Sequence, residues 1–339
     1  MSIRAKVTDA GEFLALIPAL LGYQPVESVV VVVFDGTLSR GAMRFDMPAD
    51  RATAAQLGLV ATGLACRVPD VSRLALVVYG APELATRVYE SFSASTEAAG
   101  LGIVEALVVA EGSWSRIGSE DAPVAVAPLP EQFTGMVAAG DQSTGAVLPD
   151  VDPELRAAVA DHLAAGTENF LPSEMITLFE RAVGATADAL SPADLATLVF
   201  CLARPALRDV AIVQWTQGIE TGMRALEAQA AWETGTAYPS DLACVMWGEG
   251  ARPDPRILER ALTVSAQAAA VAPVDEQPGA LATVAWLSWA LGRSTHADAY
   301  ASQALRINPE HGLAEIVQSF VNAGHLPAWA FERAGASVM

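Results

Sequence analysis

The run Ser28-Val29-Val30-Val31-Val32-Val33-Phe34 decides the fold of the first part of this chain. Its residues are mostly β-branched and show no polar alternation, which predicts a strand that is buried on both faces in the middle of a sheet. Asp35-Gly36 follows at once as a tight-turn pair. Residues 40–45 are therefore predicted to return as the second arm of a hairpin.

Helices and further strands surround this hairpin. Helices are predicted at residues 9–20, 51–66 and 82–99, strands at 74–79 and 103–110, and a short edge strand at 124–127. A strand–helix–strand order with short links implies right-handed crossovers. The sequence therefore predicts a mainly parallel sheet, mixed because of the hairpin, with helices on both faces. This α/β domain is placed at residues 1–130.

The composition changes beyond the last of these long strands. Residues 131–150 are expected to be a linker with a short helix near 131–138, because Gly, Ser and acidic residues cluster there. No strand is predicted beyond residue 150, so residues 151–339 are expected to form an all-α domain. Its helices are predicted at residues 152–165, 173–188, 191–203, 205–232, 238–248, 254–271, 278–292, 295–307 and 311–323.

One helix pair, at residues 278–309, has the spacing of a tetratricopeptide motif. Gly292 supplies the turn between the helices, Ala297 and Ala304 allow a close approach, and Pro309 ends the second helix. Stable repeat arrays need about three units, and no second copy lies at the repeat distance. The sequence therefore predicts a single tetratricopeptide-like pair within a helical domain.

Charge and composition exclude several classes of protein. The 339 residues include 20 Lys and Arg against 39 Asp and Glu, and the formal charge of −19 argues against nucleic acid as a partner. With 52% hydrophobic residues, the chain is too apolar to be disordered. Its aliphatic runs are too short to cross a membrane and no export signal is recognised, so we expect a cytoplasmic protein without a membrane partner.

No catalytic or metal-binding signature is present. The sequence lacks phosphate-loop, dinucleotide-binding, zinc-protease and nucleophile-elbow motifs, and its three cysteines lie far apart. The single lysine, Lys6, argues against Schiff-base chemistry. The sequence therefore predicts no cofactor and no metal, and it favours a non-enzymatic protein while leaving catalysis open.

Six residues form a candidate ligand-binding site near the ends of the predicted strands, because open α/β sheets bind ligands at the carboxyl ends of their strands. They are Asp35, Arg44, Asp46, Tyr79, Trp114 and Arg116. Trp114 and Arg116 lie on a predicted loop after strand 103–110 and are the strongest candidates. Structural alternatives remain, since Asp35 also fits a hairpin turn, and Arg44 with Asp46 also fits a surface ion pair.

Other chemically prominent residues are interpreted structurally. Arg208 and Asp209 are expected to form a surface ion pair at the start of a long helix. The tryptophans near the carboxyl terminus have alanine-rich neighbours, which predicts a place in the core. They are Trp286, Trp289 and Trp329.

Several segments carry a resemblance to a known family. They are Phe13–Pro25, Glu27–Val31, Arg44–Pro48, Gly112–Ser115 and Leu207–Asp209, with Ala285-Trp286, Gly292, Ala304-Leu305, Pro309 and Leu313-Ala314. Together these segments resemble an uncharacterised family known mainly from actinobacteria, the domain of unknown function 4192. Members often carry a cysteine-containing stretch after the tryptophan, which this chain lacks. The resemblance implies an actinobacterial origin and a composite fold, and it brings no established activity.

These observations leave three hypotheses for function. The leading one is a non-catalytic interaction or adaptor protein with a protein partner, because stacked helix pairs form surfaces suited to peptides and the acidic charge suits a basic partner. The second is a regulator or enzyme that binds a small molecule or nucleotide at the sheet. The third is a structural subunit of a larger assembly. The oligomeric state stays open.

Overall fold

The computed structural model describes residues 7–137, 140–166, 172–184 and 190–332. The chain divides into two compact units, Met1–Gly145 and Ala146–Met339. This division lies within the segment expected to be a linker. Each unit is described by itself below.

The described residues of the first unit form a six-stranded mixed sheet with three α-helices. The strands are β1 (Ser28–Asp35), β2 (Leu38–Asp46), β3 (Arg73–Tyr79), β4 (Gly102–Ala110), β5 (Ser113–Arg116) and β6 (Val124–Ala125), in the order β2-β1-β3-β4-β5-β6. The helices are α1 (Ala10–Leu21), α2 (Arg51–Arg67) and α3 (Pro82–Ala98), and a 3₁₀ helix spans Glu131–Met136. Asp9 caps α1, as its sequence predicts, by accepting a hydrogen bond from the Glu12 N–H.

The prediction of a mainly parallel sheet is wrong. Among the described strands, only β3 and β4 are parallel neighbours, and the other adjacent pairs are antiparallel. β2 and β3 do run in the same direction, as a crossover through α2 requires, but β1 lies between them and pairs antiparallel with both. The order of strands and helices along the chain correctly predicts the crossover through α2. The position of β1 between β2 and β3 depends on pairing between residues far apart in the chain, which this order does not encode.

Helices cover both faces of the sheet. Leu14 and Ile17 of α1 pack on one face, against Val30 and Val77. α2 and α3 pack on the opposite face, where Phe92 is fully buried. Residues Val29–Val32 of β1 are inaccessible to solvent. The prediction of a central strand buried on both faces is therefore confirmed.

Residues 113–116 form a strand and not the predicted loop. Glu111 and Gly112, with φ of 50° and 75°, make a two-residue turn between β4 and β5, and Ala110 pairs with Ser113 directly across it. Positive φ at both turn residues matches the right-handed twist of a hairpin. The Glu-Gly pair lacks the Asn-Gly or Asp-Gly signature, which explains why the sequence analysis missed this hairpin.

The described part of the second unit is helical. Its α-helices are α4 (Pro153–Ala164), α5 (Pro172–Ala182), α6 (Pro192–Leu202), α7 (Pro205–Gln217), α8 (Ile219–Glu233), α9 (Ser240–Ala243), α10 (Pro255–Val271), α11 (Gln277–Ala290), α12 (Ser294–Ile307) and α13 (Gly312–Asn322), with 3₁₀ helices at Cys244–Trp247 and Ala328–Phe331. The predicted end of the helix 173–188 falls on residues 185–188, outside the described residues.

The single long helix predicted over residues 205–232 is wrong. Gly218, with φ 88° and ψ 169°, separates α7 from α8. This backbone conformation is accessible to glycine almost alone. The two helices then pack against each other as a hairpin, so a glycine that looked tolerable inside a helix is in fact the turn.

The core of the second unit is centred on α11, whose residues Pro278–Ala290 are all buried. The predicted core placement of the three carboxyl-terminal tryptophans is confirmed, since each is at most 3% exposed. Each indole N–H also donates to a backbone carbonyl: Trp286 to Met246, Trp289 to His325 and Trp329 to Ala290. These three indoles are thus buried with their N–H donors paired.

Candidate binding groove

The six residues predicted as a ligand site are divided between the two ends of the sheet. Asp35 lies at the end of β1, beside the amino end of β3, and forms an ion pair with Arg40. The other five lie on the sheet face that α1 covers, toward the opposite end, as the strand register shows. They are Arg44, Asp46, Tyr79, Trp114 and Arg116.

Arg44 is the centre of a buried polar cluster. Its Nε donates to Ser28 Oγ at 2.8 Å, and its Nη1 lies 2.7 Å from Asp46 Oδ1. The Arg44 side chain is 6% exposed and that of Asp46 is 89% exposed. Ser28, fully buried, in turn donates to the Val26 carbonyl at 2.7 Å. Arg44 therefore links β1 to β2; the ion pair with Asp46 that the alternative predicted is present, but its arginine is buried.

The side chains of Tyr79, Trp114 and Arg116 have different surroundings. Burial raises the pKa of Tyr79 well above its usual value, so its hydroxyl stays protonated. Trp114 lies on β5 next to Gly11 of α1. Arg116 makes two hydrogen bonds of 3.1 Å to the carboxylate of Glu105 on the neighbouring strand. Both arginines at this end of the sheet are thus paired with carboxylates of the same unit.

A groove in the second unit is the more open site. Its larger part, about 330 Å³, lies between α7, α8 and the segment that follows α8. A smaller part of about 120 Å³ reaches α13, and the two share Asp209, Met246 and Trp247. We refer to this as the aromatic groove, lined by Arg208, Asp209, Val213, Gln229, Trp232, Tyr238, Leu242, Ala243, Met246, Trp247, Leu313 and Ile316.

Two tryptophans at the aromatic groove are unusually exposed. The exposed fractions are 59% for Trp232, on α8, and 51% for Trp247. Gly248, with φ 77°, ends the 3₁₀ helix that carries Trp247, and a Cβ there would lie 2.6 Å from atoms of Trp289 and Pro327. Only glycine fits this close approach. The core therefore fixes the backbone that presents the Trp247 indole to solvent.

The carboxylate of Asp209 forms the polar part of the aromatic groove. Arg208 donates from Nε at 3.0 Å and from Nη2 at 2.8 Å, and both bonds go to Asp209 Oδ1. Their side chains are 8% and 28% exposed, so the predicted surface ion pair is wrong: residues of the 3₁₀ helix Cys244–Trp247 and of α13 line the same part of the groove. Burial raises the pKa of Asp209, and the neighbouring Arg208 charge opposes that rise.

The charge of Asp209 extends to its neighbours. The pKa of Tyr238 is raised by burial and further by the negative charges of Asp209 and Asp241. Asp241 is itself paired with Arg224 at 2.8 Å, on the surface. The aromatic groove therefore combines apolar and aromatic walls with nearby carboxylates, each of which is paired with an arginine.

The sequence patterns do not reveal the aromatic groove. Trp232 lies in an alanine-rich stretch much like that of Trp286, and nothing in the composition separates an exposed indole from a buried one. One signal was present: the segment Leu207–Asp209 carries part of the family resemblance, and two of its residues line the groove. Within the described ranges, no three metal-ligating side chains come close enough to hold an ion.

The fold and the groove define a two-unit protein, a mixed α/β layer followed by a helical unit with an open aromatic groove. The chain belongs to the family described as domain of unknown function DUF4192, whose model matches residues 11–328. Neither a curated protein nor a solved structure matches the chain. None of the helices in the part that the structure describes has both the length and the apolar character needed to cross a bilayer.

Proposed function

We propose that this protein is a non-catalytic interaction module, an adaptor, in which the aromatic groove of the second unit binds a segment of a partner protein. The observation that carries the proposal is the exposure of Trp232 and Trp247 at one groove. Exposing two indoles to water is costly, and tryptophan is enriched among the residues that dominate interface energies. An apolar side chain of the partner would displace water from both indoles.

The charge of the second unit supports a basic partner. Residues 146–339 contain 11 Arg and no Lys against 23 Asp and Glu, so 11 − 23 gives a formal charge of −12. Such a field attracts basic chains and speeds their association. We therefore assign the groove a partner segment that carries both apolar and basic side chains.

We further propose that α11 and α12 form a tetratricopeptide-like helix pair. Two features of these helices support this proposal. Gly292 adopts φ 79° at the turn, and Ala297, Ala301 and Ala304 of α12 are fully buried against their neighbours. Small side chains at such positions permit close helix packing, and helix pairs of this class commonly bind peptides.

The sheet of the first unit gives less support for a ligand site. Arg44 and Arg116, which would bind an anionic ligand there, have Asp46 and Glu105 as partners. A ligand would have to displace these carboxylates, at the cost of the existing charge-assisted hydrogen bonds. The aromatic groove needs no such exchange.

The test is selection of a random 12-residue peptide library on the full chain. Peptides that bind through the aromatic groove should lose about ten-fold or more in affinity with Trp232→Ala and Trp247→Ala, as is usual for tryptophans at interface centres. Met223→Ala is the matched control, because Met223 lies on α8, is 51% exposed and does not line the groove. Selected peptides that bind all three variants equally, or a selection that enriches none, would contradict the proposal.

A further inference from the structure

We infer that Asp209 binds a lysine or arginine side chain of the docked segment, so that the aromatic groove selects a segment with an apolar residue next to a basic one. The inference rests on the proposed function and adds the residue that determines specificity. It follows from the geometry of a single carboxylate.

The two oxygens of Asp209 have different surroundings. Oδ1 accepts both hydrogen bonds from Arg208. Within the described residues Oδ2 accepts no hydrogen bond, and it is not among the polar atoms that are shut off from solvent. Because the residue lines both parts of the aromatic groove, this second oxygen is the acceptor available to a ligand there.

The surroundings favour a cation over an anion. Among the described residues that line the groove, Arg208 is the one cationic side chain; it is 8% exposed and donates its hydrogen bonds to Asp209. The carboxylate of Asp209, at 28% exposed, is therefore the more accessible partner of this ion pair, and the carboxylate of Asp241 lies near Tyr238. A ligand carboxylate would meet Asp209 and Asp241, whereas an ammonium or guanidinium group would complete the hydrogen bonding of Oδ2.

The walls of the groove fit the rest of a basic side chain. Lysine and arginine carry long apolar stems that pack on hydrophobic surface while the charged end remains on a polar group. Met246, Trp232 and Trp247 supply that surface around Asp209. Indole faces also attract cations, which adds to the preference for a basic residue.

The experiment uses a peptide selected on the full chain and a matched peptide in which its lysine is replaced by norleucine, or its arginine by citrulline. Fluorescence anisotropy with the wild-type protein should show binding weakened by about ten-fold or more, as expected for a lost hydrogen bond between charged groups. With Asp209→Asn the two peptides should bind alike, and Asp241→Asn should keep the preference.

Asp209→Asn leaves Arg208 buried without its counter-charge, so its fold is checked by circular dichroism. If it does not fold, the double variant Arg208→Gln with Asp209→Asn removes both charges, and it too should lose the preference for the basic peptide. Selected peptides that depend on Trp232 and Trp247 but carry no basic residue, or a preference that survives loss of Asp209, would overturn this inference and leave standing only the role of the aromatic groove as a peptide-binding site. Failure of the tryptophan dependence would overturn both.

Discussion

Replacing Gly279 by alanine should strongly destabilise the second unit. Gly279 lies in the first turn of α11, where it packs directly against the backbone at the end of α6. An added Cβ would contact the Leu202 carbonyl oxygen and lie 2.5 Å from Ala203 Cα and 2.7 Å from the Leu202 carbonyl carbon. Carbon atoms in favourable contact are about 3.5–4.0 Å apart, so the two helices would have to separate by roughly 1 Å.

The size of the effect follows from what must move. The obstructing atoms belong to backbone and not to a flexible side chain, which places the cost toward the upper end of the roughly 1–3 kcal/mol typical of overpacking. Alanine regains up to about 1 kcal/mol of helix propensity. We expect a net loss of about 2 kcal/mol in the free energy of unfolding. For a unit of this size that corresponds to a fall of roughly 4–8 °C in Tm.

Thermal unfolding followed by circular dichroism measures the change. Gly312→Ala is the matched control, because Gly312 begins α13 of the same unit and a Cβ there meets nothing within 4 Å. This variant should unfold at or slightly above the wild-type temperature. A Gly279→Ala protein as stable as the Gly312→Ala protein would refute the packing of α11 on α6.

Three further outcomes test separate features of the structure. Gly218→Ala should lose about 1–3 kcal/mol in urea unfolding, because alanine is strained at its backbone angles, whereas a continuous helix would make the same change stabilising. Burial raises the pKa of the Cys201 thiol to about 12. An Ellman titration at pH 8 should therefore label the exposed Cys66 in the native protein and Cys201 only after unfolding. Equal labelling rates for Cys66 and Cys201 in the native protein would contradict the packing of α6. Hydrogen bonds from Thr53 lower the pKa of Asp50 in the folded protein. The ionised Asp50 cap therefore stabilises α2 at pH values above the unfolded pKa, and this stabilisation is lost as the pH falls through the folded pKa. The Tm difference between wild type and Asp50→Ala should shrink from pH 7 to pH 3, and a constant difference would exclude an ionised cap.

Local features of the fold could be predicted from the sequence, and non-local pairings could not. The apolar run of β1 and the Asp9 cap of α1 are determined by neighbouring residues, and both are confirmed. The place of β1 between β2 and β3 depends on residues far apart in the chain. The separation of α7 from α8 depends on one glycine whose unusual conformation no periodicity records.

The candidate site shows the same division. Arg44 and Asp46 were recognised as neighbours on one strand face, since alternate residues of a strand share a face. The burial of Arg44 depends on Ser28 from the adjacent strand, which only pairing reveals. The aromatic groove depends on α7, α8, the segment that follows α8, and α13 meeting, so its exposed indoles carry no local signature.

The most direct test of the central claim is the indole N–H region of the two-dimensional ¹H–¹⁵N spectrum, recorded on the full chain while a selected basic peptide is added. Single Trp→Phe variants assign the signals. If the aromatic groove binds the peptide, the Trp232 and Trp247 signals shift in a saturable manner, while those of the buried Trp286 and Trp289 change little. Shifts at Trp114 of the first unit with none at Trp232 and Trp247 would contradict it.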